Sequence, residues 1–493
     1  MARDPEWTAL LAWLATFPGY VDPEQNVKLV RLASAGRGLV ARGDIKPNTL
    51  LISIPNAALL NLRTLRPFYP KAFHPLTATQ LLSLHLARQF RRNLHARPAP
   101  AGSGSRKDDD RWWPFLATLP RAFATVPLWW AAHARGVEAL AAAYPLVPGE
   151  GGRGAEGKPP APAAEGTDVS LAEYAGEGAD ARAERRKRAR RYGELLELMP
   201  PAVRREADKI ARTFEEDWTA VRRVWNTQSE VGGDWGILDF LLGWLNVNTR
   251  CIWFNVEGNL TLCPVIDMIN HSSQRSTKPE ARLSSLTFSA PSATSSDPPL
   301  CDGDELTFSY GPRGDPTLLA EYGFVVGEGN AHNAVEIDQI IEALFEAQGE
   351  EGALKREVLE EKNYWGKMTL QSTPHPPTAD WRVLVALRLL HLRIPTYAKT
   401  PTLARDALAP WQHVVEGAAE RVSPANEKLV QATLRGVCVT IAREAENGLE
   451  RCREVRARWD QEKGVGDEER ASLSMLETVW REEARIAKAV GEV

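Results

Sequence analysis

The chain has 493 residues, 43% of them hydrophobic and 25% charged, enough for roughly three domains' worth of structure around a large core. That excludes a small stapled scaffold, and no apolar run approaches the roughly 20 residues of a bilayer span. Sixty Lys plus Arg against 64 Asp plus Glu leave a net charge of -4, which excludes an overall basic field for nucleic acid or anionic lipid.

The amino terminus, Met-Ala-Arg-Asp-Pro-Glu-Trp, has acids and proline where a secretory signal would need a basic start and an apolar stretch, so a cytoplasmic and/or nuclear protein is expected. Trp7, Leu10, Leu11 and Leu14 recur at helical spacing, and Pro18-Gly19 ends the pattern; residues 1–25 form an amino-terminal helical segment. From Val27 to Leu60, short apolar runs separated by Gly, Pro and Asn turns read as strands. Residues 63–235 are mostly helical in pattern, clearest at Leu76 to Asn93 and Leu195 to Trp225. Two stretches within them, 96–110 and 147–183, are rich in Ala, Pro, Gly and charge, with too few large apolar groups to offset chain entropy, and are expected to be disordered loops. Between these stretches the aromatics from Trp112 to Trp130 read as helix-packing core. The basic run Arg185 to Arg191 reads as a solvated helix end, with nuclear import as its alternative.

Leu238, Leu241, Leu242 and Leu245 mark one more helix face, after which Arg250 to Phe254, Leu260 to Cys263 and the alternating Glu305 to Tyr310 return to strand character. Beyond Val335 the patterns are helical, at Trp381 to Leu389 and Leu429 to Glu446, and residues 331–493 are expected to form an all-α domain. No internal repeat of fixed period is present. The five cysteines, Cys251, Cys263, Cys301, Cys438 and Cys452, are odd in number and lack a CxxC pair; inert thiols are expected rather than disulfides or a cysteine zinc site.

Four clusters carry possible chemistry. Gly36-Arg37-Gly38 lets backbone approach a ligand closely but lacks the dinucleotide and phosphate-loop fingerprints. Asp267-Met268-Ile269-Asn270-His271 follows an apolar segment and offers directional hydrogen bonds. Tyr310 ends an alternating strand, where a phenol can orient a nucleophile, and Glu321-Tyr322-Gly323-Phe324-Val325 is a second aromatic and glycine cluster.

Taken in order, Gly36 to Ala41 with Asp44-Ile45, Val265 to Ser272, Asp304 to Pro312 and Leu318 to Val325 resemble the motifs of SET-domain protein methyltransferases, in the branch with the Rubisco large-subunit and ribosomal-protein lysine methyltransferases. The resemblance is close over residues 26–62 and 236–330 and architectural elsewhere. It implies an α+β fold: a split β-rich SET domain (26–62 and 236–330), a long helical insertion (63–235), and an all-α carboxy-terminal substrate-binding domain (331–493). In that family the strand leading into the catalytic tyrosine lies near a loop threaded like a knot.

The resemblance further implies that Ala35, Gly36 and Arg37 contact S-adenosyl-L-methionine largely through backbone, and that Asn270 and His271 hold its two ends. Ala35 stands where family members often carry an acidic residue. Arg250, Asp267, Tyr322 and Phe324 would shape the substrate pocket, and Tyr310 would be the catalytic tyrosine. The implied activity is lysine N-methylation of a non-histone protein, with ribosomal proteins first in view, no metal, no direct nucleic acid or membrane partner, and a monomeric enzyme. Histidine methylation is the rival within the class, disfavoured by Tyr322, and a SET-like scaffold without turnover is the rival outside it. The reaction needs donor and acceptor aligned at roughly 3 Å. It also needs a neutral amine, which for lysine at pH 7 costs about 5 kcal/mol; a dry aromatic channel lowers that cost.

Overall fold

The computed structural model describes residues 4–32, 36–93, 111–135, 179–227, 235–253, 260–275, 277–393 and 401–492. The loop expected at 96–110 and residues 147–178 of the second biased stretch lie outside the described residues, as does Ala35, while residues 179–183, expected in the second loop, are the first of helix Ala179–Leu198. The chain divides into two compact units, Met1–Leu196 with Glu206–Pro312 and Ala320–Gly323, and Glu197–Arg205 with Arg313–Leu319 and Phe324–Val493.

In the first unit the helix Pro5–Leu14 buries Trp7, Leu10 and Leu14, and the Asp4 carboxylate caps it by accepting from the Glu6 and Trp7 amides. Strand β1 (Val27–Leu32) pairs antiparallel with β2 (Gly36–Ala41), Val27 facing Ala41 and Leu29 facing Leu39. Strand β3 (Leu50–Pro55) is buried along almost its whole length, which explains its near-continuous apolar sequence. The later strands are short: β4 (Ile252–Trp253), β5 (Leu260–Thr261), β6 (Asn270–His271), β7 (Glu280–Ala281), β8 (Ser285–Ser289) and β9 (Thr307–Phe308). β3, β8 and β7 make one antiparallel sheet, with an irregularity between Leu50 and Ile52, and β4 and β5 make a two-stranded ribbon. β6 and β9 pair in parallel, while bridges Val40 to Glu305 and Leu60 to Leu262 tie the early strands to the late ones.

Helix Ala78–Asn93 crosses helix Ile237–Arg250 closely enough that a Cβ at Gly243 would stand 2.4 Å from the Ser83 carbonyl oxygen. Phe240, Leu241, Trp244 and Leu245 are buried on the second of these helices, each contributing about 1.5–3 kcal/mol. Trp244 also donates to the buried Asp217 carboxylate at 2.8 Å. Trp112, Phe115, Trp129 and Trp130 are buried, as the core reading of that aromatic stretch requires. The helix expected to run from Leu195 to Trp225 is two helices, Ala179–Leu198 and Pro201–Asn226. The break falls at Met199-Pro200, where proline cannot donate to the helical ladder. Arg185 to Arg188 lie exposed on the first of these helices, and Arg191 is buried on Glu184 at 3.0 Å. Helix Ile237–Arg250 reaches Arg250, so the expected strand there shrinks to β4.

The second unit contains the long helices Pro424–Gln461 and Asp467–Glu492, with Trp411, Trp459 and Trp480 fully buried. At Gly448 the Trp480 ring comes within 2.4 Å of where a Cβ would be. The expectation of an all-α carboxy-terminal region needs correction. Strands β10 (Ala334–Glu336), β11 (Thr369–Gln371) and β12 (Thr378–Ala379) form a three-stranded antiparallel sheet there. Two or three residues per strand are too few for alternation to stand out among helical patterns. Among the described residues no helix is long and apolar enough to cross a membrane.

Candidate active site

Within the first unit, β2, β6 and β9 bring three of the four sequence clusters together. The approach to β6 starts at Val265, which sits at φ 70° and ψ −50° with the Ile266 amide donating to the Pro264 carbonyl at 2.8 Å. This is a tight γ-turn, and a buried β-branched residue in it stores about 1–3 kcal/mol of strain. A single 3-10 turn, Ile266–Met268, follows and delivers Asp267 inward and Asn270 and His271 onto β6.

Parallel pairing sets Asn270 beside Thr307 and His271 beside Phe308. The Asn270 amide nitrogen donates to Glu305 Oε1 at 2.7 Å and, more loosely, to the Arg37 carbonyl at 3.4 Å. His271 Nδ1 accepts from the Tyr310 amide at 3.0 Å, which in a neutral imidazole leaves the ring proton on Nε2. The Tyr310 hydroxyl donates to the Ile269 carbonyl at 2.8 Å. Burial pushes the phenol well above its ordinary range, with Tyr322, Asp267 and Glu305 acting in the same direction and Arg250 opposing. Tyr310 is therefore a neutral hydroxyl at physiological pH.

Aromatic rings surround it: the centroids of His271, Phe308 and Tyr322 each lie 5.2 Å from that of Tyr310. Tyr322 is the last residue of helix Asp315–Tyr322, and the chain leaves it through Gly323 at φ 77°. A Cβ on Gly323 would fall 2.5 Å from Thr125 Oγ1, so only glycine lets the chain turn away from Tyr322 at this point. Phe324, half-buried, begins the segment of the second unit.

Arg250, at the end of its helix, holds Asp267 by both the backbone carbonyl at 3.0 Å and the carboxylate at 3.2 Å. The Asp267 side chain is 1% exposed, and burial raises its pKa against the pull of Arg250 and Arg37. Cys251 and Cys263 are pushed up by burial and then by Asp267, as inert thiols should be, whereas Cys301 is exposed. Of the glycine cluster, Gly36 sits at φ 71°, and the Arg37 guanidinium donates to the Thr118 carbonyl and lies within 3.7 Å of Glu6. Glu305 is not singled out as a site residue by sequence reasoning, although it begins the alternating strand and lies within the Asp304 to Pro312 motif.

No protein-family model matches the chain. Among curated proteins it is similar to the ribosomal lysine N-methyltransferase set11 of Schizosaccharomyces pombe, 22% identical over 385 residues, 77% of this chain and 74% of that protein. It is also similar to SET domain-containing protein 4 of Mus musculus, 24% identical over 61% of this chain and 65% of that protein. The ribosomal lysine N-methyltransferase 2 of Saccharomyces cerevisiae is 27% identical over 40% of this chain and 46% of its own length. Among solved structures, the SET domain of LSMT bound to lysine and AdoHcy aligns over 99% of this chain and 91% of that one, with a TM-score of 0.60 and 16% identity. Rubisco LSMT bound to AdoMet aligns with a TM-score of 0.55, also at 16% identity, over the same shares of the two chains.

Proposed function

We propose that this chain, which carries the SET-domain fold of the Rubisco and ribosomal lysine methyltransferase branch, transfers a methyl group from S-adenosylmethionine to a lysine side chain of a non-histone protein, a ribosomal protein foremost. The observation that carries the reading is the convergence of Asn270 and His271 on β6, Tyr310 just past β9 and Tyr322 at the end of its helix in one aromatic-walled site.

The residues suit the cofactor. Its amino-acid end needs acceptors for an ammonium, and the Asn270 side chain beside the Glu305 carboxylate supplies that character. The left-handed Gly36, with nothing within 4 Å of where a Cβ would be, leaves main chain open to a ligand at the start of β2. When bound, the cofactor supplies an electrophilic methyl on a sulfonium.

The protein's own part is to admit, neutralise and aim the amine. Burial among Tyr310, Tyr322 and Phe308 disfavours an ammonium and lowers the lysine pKa, reducing the deprotonation cost of about 5 kcal/mol. The Tyr310 proton is engaged by the Ile269 carbonyl, so its hydroxyl oxygen is an acceptor for an amine N–H and fixes the direction of the nitrogen lone pair. With its pKa raised, Tyr310 orients the amine rather than taking its proton as a phenolate. The Arg250–Asp267 pair ties the end of helix Ile237–Arg250 to the turn that leads into Ile269. In this reading the second unit presents the substrate protein.

The test is methyl transfer into whole-cell protein, with the acceptor residue identified by mass spectrometry. Methyl-lysine in a ribosomal protein supports the reading; methyl-histidine, or cofactor binding with no acceptor, sinks it.

A further inference from the structure

We propose that Glu305 is a positioning residue that acts through Asn270, locking the amide so that its oxygen, and not its nitrogen, faces the cofactor; this rests on the reading above. A side-chain amide can present either end to a ligand, and the choice is set by what the other end meets. Here a carboxylate oxygen lies 2.7 Å from Asn270 Nδ2, and a backbone carbonyl lies 3.4 Å from the same nitrogen. Both neighbours can only accept from the amide, so the NH2 group must point at them and Oδ1 must point away. The orientation is worth a charge-assisted hydrogen bond, stronger than one between neutral groups.

The surroundings hold the pair in register. Glu305 is anchored by its bridge to Val40 and by the Leu306 amide donating to the Leu39 carbonyl, while Asn270 is anchored by its pairing with Thr307. A Cβ at position 38 would stand 2.9 Å from Asn270 Nδ2, 3.1 Å from Glu305 Oε1 and 2.5 Å from Leu32 Cδ1. The second glycine of Gly36-Arg37-Gly38 keeps this space clear for the pair and for the Leu32 side chain. An acceptor backed by a carboxylate selects a cationic donor, the ammonium end of the cofactor, over an anion.

The experiment is calorimetric titration of S-adenosylmethionine into wild type, Glu305→Ala, Glu305→Gln, Asn270→Ala and the Asn270→Ala/Glu305→Ala double variant, with melting temperatures measured without cofactor. Loss of a charge-assisted bond of this kind corresponds to roughly tenfold in Kd. Glu305→Ala should weaken binding by about that factor in the wild-type background and by less than about twofold in the Asn270→Ala background, because the effect passes through the amide. Glu305→Gln, which can still accept from Nδ2, should recover most of the loss. Equal effects in both backgrounds, or wild-type affinity in Glu305→Ala, overturn the inference while leaving the methyltransferase reading in place. A lowered melting temperature with unchanged affinity also overturns it, by making Glu305 merely structural. Failure of the wild type to bind removes both.

Discussion

Tyr310 is held at both ends, its amide on His271 Nδ1 and its hydroxyl on the Ile269 carbonyl, so its ring has little freedom to swing. Replacing it with phenylalanine deletes one oxygen and keeps the ring contacts. We expect Tyr310→Phe to retain the fold and cofactor affinity while losing about 10²–10⁴-fold in transfer, measured as labelled methyl incorporated per minute. Because burial raises the phenol, kcat/KM should climb with pH through the neutral range as the amine deprotonates, with no limb from Tyr310 below about pH 10. A pH–rate profile with a tyrosine-like break near neutrality would contradict the neutral-hydroxyl role. At this scale the sequence is most informative, since Asn270, His271, Tyr310 and Tyr322 stand out as motif residues and meet in one site. Glu305 does not stand out, because its meaning depends on a partner 35 positions away in the chain.

Two glycines in helices make opposite predictions. Gly243 lies where the Ile237–Arg250 helix presses on the Ala78–Asn93 helix, and Gly243→Ala should destabilise by about 1–3 kcal/mol through overpacking against the Ser83 carbonyl. Gly193, inside helix Ala179–Leu198, has nothing within 4 Å of where a methyl group would sit, and Gly193→Ala should stabilise by about 0.5–1 kcal/mol. Chemical denaturation of the two variants checks both signs. The elements legible in the sequence are those long enough to show a period. Long amphipathic helices show their period in sequence, and the six-residue strands β1, β2 and β3 show as apolar runs between turn residues, whereas the five-residue β8 is not expected. The two-residue strand β6 and the β10–β12 sheet are defined by partners across the chain, and two or three residues have no period to read, whereas β9 is expected because Thr307 and Phe308 lie within the longer alternation Glu305 to Tyr310. The proline break after Leu198 is masked in the sequence because the apolar spacing continues across it.

For the molecule as a whole, the second unit carries its own pH dependence. Glu483, buried on helix Asp467–Glu492, is pushed up to about 8 by burial and by Glu444, with Arg205 opposing. Its unfolded value is near 4.5, so between that pH and about 8 the folded state holds a proton the unfolded state has released. Stability of this unit therefore falls as pH rises through that window. Glu483→Gln should flatten the dependence, with the gap in melting temperature between pH 5 and pH 9 smaller than in wild type; an unchanged gap would place the titrating group elsewhere. The central claim is catalysis of lysine methylation, and its most direct measurement is transfer of labelled methyl from S-adenosylmethionine into ribosomal and total protein by wild type and Tyr310→Phe in parallel. The account predicts a discrete labelled protein bearing methyl-lysine that is lost in the variant. A label that persists in Tyr310→Phe, or that resides on another side chain, would contradict it.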